Sequence, residues 1–210
     1  MKPMQALRRC ARLGLGLSAL ALLLSCAALP DKPARSLIYD FGPGPLNLPL
    51  SDFASTQPTL TLGEIEAPAS LDSSAMLYRL IYANATQLQP YALARWSMPP
   101  AQLLRQRLRE GLEGQRPVLN PSTHPSGLVL RLELEEFAQL FDTPERSSGS
   151  IRLRATLLRV DGGVERLLGQ RRFAVQRPAA SADAPGGVRA LASATDAAIQ
   201  ELAHWLPSMR

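Results

Sequence analysis

Only two cysteines, Cys10 and Cys26, and two histidines, His124 and His204, occur in the 210 residues. Neither histidine has a ligand partner at a useful spacing, so no metal centre is expected. His124 stands among turn residues, and His204 precedes Trp205 on the last apolar stripe. A surface or helix-edge place suits both. Lysine is confined to Lys2 and Lys32, and arginine supplies the other positive charge, which reads as a compositional bias. The formal charge of +5 misleads, because 4 of the 23 bases lie before residue 13 and all 18 acids lie after it. From Cys26 onward, 19 bases face 18 acids, so no net basic surface for nucleic acid is supported. There is no Gly-x-Ser-x-Gly elbow and no P-loop. Gly42-Pro43-Gly44-Pro45 is glycine-rich, but its prolines lack the N–H groups that a phosphate needs.

Long apolar runs are equally scarce, and the one near the start is informative. Lys2, Arg8, Arg9 and Arg12 form a positive head, followed by an uncharged stretch from Leu13 to Leu24. As a helix those residues reach about 18 Å, against a bilayer core of about 30 Å. The run is short for a span and suits the apolar part of an export signal. Leu23-Leu24-Ser25-Cys26 closes it and resembles the lipobox of bacterial lipoproteins. Leu24 departs from the more usual Ala or Ser at its place. The resemblance implies diacylglycerol on the Cys26 sulfur, cleavage before Cys26 and an acyl chain on the new amine. Cys10 would leave with the leader, so no disulfide is available. The covalent lipid on Cys26 is the one attached group expected, with no other cofactor. The expected organisation is a signal peptide over 1–25, a tether over 26–35 and one α+β domain over 36–210.

The body alternates between two periods. Ser36–Phe41 is a short β-prone run, and Gly42–Pro58 reads as an extended, proline-rich loop. Thr59–Pro68 reads as a strand with a bulge at Gly63. Met76–Asn84 reads as a strand with Met76, Tyr78, Leu80 and Tyr82 on one face, and Gln87–Trp96 as its hairpin partner. Ser97–Gly114 is a helix with prolines in its first turn and a stripe of Ala101, Leu104, Leu108 and Leu112. Leu128–Phe141 alternates, with a phase slip near Glu136. After a connection over 142–150, Ile151–Val160 and Glu165–Gln176 flank Asp161-Gly162-Gly163, a hairpin signal. Leu167, Phe173 and Val175 are expected on one face. Val188–Leu206 is the last helix. The order β-β-β-α-β-β-β-α, with a further N-terminal strand in view, predicts an α+β fold. Its expected form is a largely antiparallel sheet with two helices on one face.

No catalytic constellation emerges. Glu133, Glu135 and Glu136 read as the wet face of a strand opposite Arg152 and Arg154. The arginines of Leu103–Gly111 read as a solvated helix face. The aromatics gather in Tyr78, Tyr82, Tyr91 and Trp96, which packing explains as well as an interface does.

The same stretch carries a family resemblance. Ala-Pro at 67–68, Leu71, Met76-Leu77-Tyr78, Tyr91, Arg95-Trp96, then Pro99-Pro100 opening a helix with Leu103-Leu104, resembles the ABC-type transport auxiliary lipoproteins. The distinctive part is Leu71–Leu112, and the lipobox and the second β-rich half fit the family layout. The resemblance implies a non-enzymatic, periplasm-facing lipoprotein of the outer membrane. Ala27 after the cysteine is consistent with that sorting. Its partners would be a mammalian-cell-entry domain protein and an ABC permease and ATPase that move lipid or other hydrophobic cargo. The membrane would be met through the acyl chains, and a homo-oligomer is compatible with all of this. Met76, Tyr78, Arg95 and Trp96 match the family pattern. Tyr78, Tyr82, Tyr91, Arg95 and Trp96 are the candidate partner-binding residues. Two other readings compete: a lipoprotein chaperone or plug of an outer-membrane assembly machine, and a periplasmic hydrolase. The hydrolase lacks a nucleophile–base pair.

Overall fold

The computed structural model describes residues 35–44, 57–121 and 126–206. The leader, Cys26, most of the Gly42–Pro58 loop and His124 lie outside the described residues. In chain order the strands are β1 (Leu37–Tyr39), β2 (Leu60–Glu66), β3 (Ala75–Leu80), β4 (Leu88–Trp96), β5 (Val118–Leu119), β6 (Gly127–Thr143), β7 (Arg146–Asp161) and β8 (Val164–Pro178). Helix α1 (Ile81–Asn84) follows β3, α2 (Pro100–Glu113) follows β4, and α3 (Ala184–Trp205) follows β8.

Strand β6 is the spine. Along one edge it pairs antiparallel with β7, and β7 pairs antiparallel with β8. Its other edge is shared by two short strands that both run parallel to it. β2 lies beside Leu128–Glu133, and β3 lies beside Gln139–Phe141. β4 pairs antiparallel with β3, β1 lies parallel outside the end of β4, and β5 lies parallel to β2.

The α+β class holds, but the expectation of a largely antiparallel sheet does not. Four of the seven strand pairings are parallel, and the sheet is mixed. The reason is connectivity. Alternation reports which face is buried, not strand direction. A parallel pairing needs a long crossover, and α2 lies on the path from β2 and β3 to β6.

Among the described residues the expected two α-helices are three. The strand expected over Met76–Asn84 ends at Leu80, and its last residues form α1. Asn84 closes that turn, its side-chain oxygen accepting the N–H (3.0 Å) and the hydroxyl (2.7 Å) of Thr86. The connection expected over 142–150 is mostly strand, because Thr143 pairs with Arg146 across a two-residue turn. Helix α3 starts at Ala184 instead of Val188, with the Asp183 carboxylate accepting the Gly186 N–H at 2.8 Å.

Three local readings match what is seen. The β2–β6 register shifts between Leu62 and Ile65, and the β6–β7 register shifts between Leu134 and Glu136. Gly162 (φ 57°) and Gly163 (φ 85°) supply the two left-handed residues of a tight hairpin turn. Leu167 leaves its expected face, because a register shift between Leu157 and Leu158 sets it opposite Leu158. It is 60% exposed, whereas Phe173 and Val175 are buried.

Both long helices cover one face of the sheet. Leu104, Leu108 and Leu112 of α2 and Leu191, Ala198 and Leu202 of α3 join Leu60, Leu130, Leu132, Leu134, Ile151 and Leu153 in one core. The helices run side by side in the same direction, with Arg107 against Asp196 and Gly111 against Ile199. On the uncovered face the acids find arginines across the strands. Glu133 meets Arg154 at 3.3 Å, Glu136 meets Arg152 at 2.7 Å, and Glu135 meets Arg154 and Arg172. These acids belong to a solvated charge ladder.

Candidate interaction site

The aromatic stretch folds as β3, α1 and β4, and it divides the five candidate residues. Trp96 is 1% exposed. Its ring meets Phe41 at 5.6 Å and Phe137 at 5.5 Å. Phe41 follows β1 and Phe137 lies on β6, so this cluster ties the outer strands to the spine. Trp96 cannot touch a partner without unfolding.

Tyr78 and Tyr91 pack on each other with ring centroids 4.7 Å apart. Tyr78 donates its hydroxyl proton to Gln89 Oε1 at 2.9 Å. Tyr91 donates to Gln139 Oε1 at 2.8 Å. Gln139 is fully buried, and its Nε2 donates to Ser147 Oγ at 2.7 Å and to the Asp183 carbonyl at 3.1 Å. One carboxamide therefore links β4, β6, β7 and the start of α3, with both its polar atoms paired. Burial, then Tyr78 and Asp183 nearby, pushes the Tyr91 hydroxyl well above the usual tyrosine range. Hydrogen bonds from Ser181 and the Gly186 N–H hold the Asp183 carboxyl below its usual value.

Gly187 makes this knot fit, since a Cβ there would sit 1.9 Å from Gln139 Oε1. Gly149 does the same on β7, where a Cβ would lie 2.4 Å from the Leu191 nitrogen. Met76 is fully buried beside Gly187. Gln139 was not singled out from the sequence. The signal was present: after the phase slip near Glu136, Gln139 shares the parity of Phe137 and Phe141, which makes it a polar residue on a buried face.

Tyr82 and Arg95 are exposed. Tyr82 is 48% exposed on α1, next to Ile81. Arg95 lies on β4, beside Ile38 of β1 in register. Leu93 precedes it on the same side of β4 and is also exposed. The structure thus gathers Tyr78, Tyr91 and Trp96 into packing and leaves Tyr82 and Arg95 at the surface on separate elements.

A groove of about 680 Å³ runs between the long helices, walled by Gly111, Ile199, Ala203, His204, Glu110 and Asp196. Arg107, 7% exposed, floors it and binds Asp196 through two hydrogen bonds of 2.7 and 3.0 Å. Among the described residues, no group of three or more His, Cys, Asp or Glu is placed to hold a metal ion. Among them, too, no helix is long and apolar enough to cross a membrane.

The comparison that decides the family is a family model. The model described as "ABC-type transport auxiliary lipoprotein component" matches residues 45–203. The chain belongs to that family. Its fold is shared by solved structures of low sequence identity. Protein XCC0632 from Xanthomonas campestris superposes with a TM-score of 0.62 at 23% identity, over 82% of this chain and 92% of that one. The hypothetical protein CT253 from Chlamydia trachomatis gives a TM-score of 0.51 at 10% identity, over 73% and 97%. These likenesses bear on the fold alone. No curated protein matches the chain. In this auxiliary lipoprotein, Met76, Tyr78 and Trp96 build the body, whereas Arg95 faces outward.

Proposed function

We propose that the chain is a non-enzymatic, lipid-anchored auxiliary component of an ABC envelope transport system of the mammalian-cell-entry type. In this reading Cys26 carries the acyl chains and holds the folded body at the outer membrane, facing the periplasm. The body docks onto the periplasmic carrier of lipid or other hydrophobic cargo and steadies its route between membranes. No cofactor takes part. The observation that carries the reading is the family match over residues 45–203.

Tyr82 is the residue assigned to the protein partner. It is an exposed tyrosine on a short helix, beside the exposed Ile81, and it takes no part in the Tyr78–Tyr91–Gln139 knot. Large amphipathic side chains of this kind anchor interfaces.

The test is photo-crosslinking in intact cells. A benzophenone amino acid at position 82 of the full-length chain should capture a mammalian-cell-entry domain protein or its ABC partners. Capture of only an outer-membrane barrel or an assembly factor would replace transport with assembly. The anchor is tested separately. Cys26→Ser should leave the membrane fraction, and a cleaved Cys26→Ser protein that still fractionates with membranes would refute lipidation.

A further inference from the structure

We propose that the outer edge formed by β1 and the end of β4 lies against the surface of the bilayer, with Ile38, Leu37 and Leu93 in the headgroup region and Arg95 on lipid phosphates. The proposal rests on acylation of Cys26 and adds an orientation to it.

β1 is the first element of the fold and the outermost strand on its side of the sheet. Leu37 is 59% exposed, Ile38 67% and Leu93 50%. A single exposed apolar residue means little. Here three stand on two adjoining strands, Ile38 and Leu93 on the face of Arg95 and Leu37, in register with Ala94, on the other, so the edge is apolar on both of its faces. Register places Ile38 beside Arg95, and Leu93 lies two residues before Arg95 on the same side of β4. The edge is therefore apolar with a guanidinium set into it. Arginine suits that place because its aliphatic stem lies along apolar surface while its head pairs with phosphate oxygens.

The lipid surface is the occupant that chain length favours. Leu37 lies eleven residues after Cys26. A fully extended tether of that length reaches at most about 40 Å. An anchored chain thus holds this edge at high effective concentration next to the bilayer. The edge then has only to orient the body, since acyl chains supply the affinity. A three-residue strand is also too short to give an added β-strand much of a ladder. In sheet order β8 lies at the opposite side, so it points away from the membrane.

The cysteine inventory makes the test clean. With Cys10 removed in the leader and Cys26 blocked by lipid, any introduced cysteine is the one free thiol. Full-length chains carrying Ile38→Cys, Leu93→Cys or Leu167→Cys are purified in detergent and labelled with bimane. They are reconstituted into vesicles of phosphatidylethanolamine and phosphatidylglycerol. All three sites are exposed, so the fold should tolerate them. Quenching by doxyl-labelled lipid is read against quenching by aqueous iodide. The lipid-to-iodide ratio should be at least about threefold higher at positions 38 and 93 than at 167. Equal ratios at all three sites would overturn the proposal, as would a higher ratio at 167. Pyrene at position 38 gives a further readout. Excimer emission that disappears on dilution with unlabelled chain would put a second copy on the edge and overturn the proposal too. Flotation and intact mass of the unlabelled protein report acylation independently. Flotation without lipid quenching defeats the edge alone, whereas absence of an acyl mass defeats the anchor and the edge with it.

Discussion

Replacing Gln139 by leucine tests the most specific claim made about the core. The substitution keeps size and apolar packing but removes a carboxamide that pairs with three groups. Ser147 is 8% exposed and its Oγ loses its donor, whereas the Asp183 carbonyl loses one bond but keeps the Gly187 N–H at 2.9 Å. Each buried group left unpaired costs about 1–3 kcal/mol. Tyr91 is only half-buried and can turn its hydroxyl towards water, so its share is smaller. Burying leucine instead of glutamine returns about 1–2 kcal/mol. With about 1 kcal/mol more for the bonds that Tyr91 and the Asp183 carbonyl lose, the net loss is about 1–2 kcal/mol. For a domain of this size that is a fall in Tm of roughly 2–8 °C. The assay is thermal and urea unfolding of the full-length protein in detergent, followed by circular dichroism. A double-mutant cycle with Tyr91→Phe should show coupling of about 0.5–2 kcal/mol. A Gln139→Leu protein within about 0.5 kcal/mol of the parent, or more stable, would refute the claim that the carboxamide holds the knot.

Further outcomes follow from the same geometry. The Tyr91 hydroxyl has a raised pKa in the folded state, so the native form binds more protons than the unfolded one at high pH. Its stabilisation is complete below about pH 10 and falls as pH rises beyond it, and Tyr91→Phe should flatten that alkaline slope in urea titrations. Trp96→Ala should cost about 3–5 kcal/mol in unfolding measurements. By contrast, Tyr82→Ala should change stability by less than about 0.5 kcal/mol while lowering partner recovery in pull-downs. Gly149→Ala forces a methyl against the Leu191 backbone and should cost at least about 1–3 kcal/mol, measured by chemical denaturation.

Much of the local structure was legible from residue order. The stripe over α2, the turn at Gly162-Gly163 and the slips at Gly63 and near Glu136 are properties of short segments. There the period of apolar residues and the freedom of glycine act without help from distant chain. Legibility failed where distant contacts decided the matter. β3 ends at Leu80 although Tyr82 continues its alternation. Gly186 and Gly187 read as loop, yet they lie in the first turn of α3 because only glycine admits the helix so close to Gln139. The aromatic residues looked alike in sequence, since packing and contact surfaces select the same side chains. Burial separated them.

The sequence by itself determined the periods that make strands and helices and the one-sided burial of the long strands. These follow from local chemistry and spacing. Only the tertiary structure decided strand direction, the sharing of one β6 edge by β2 and β3, the burial of Trp96 and Gln139, and the exposure of Tyr82 and Arg95. Each of these depends on which distant segment arrives alongside, and residue periodicity carries no record of the partner that covers a face.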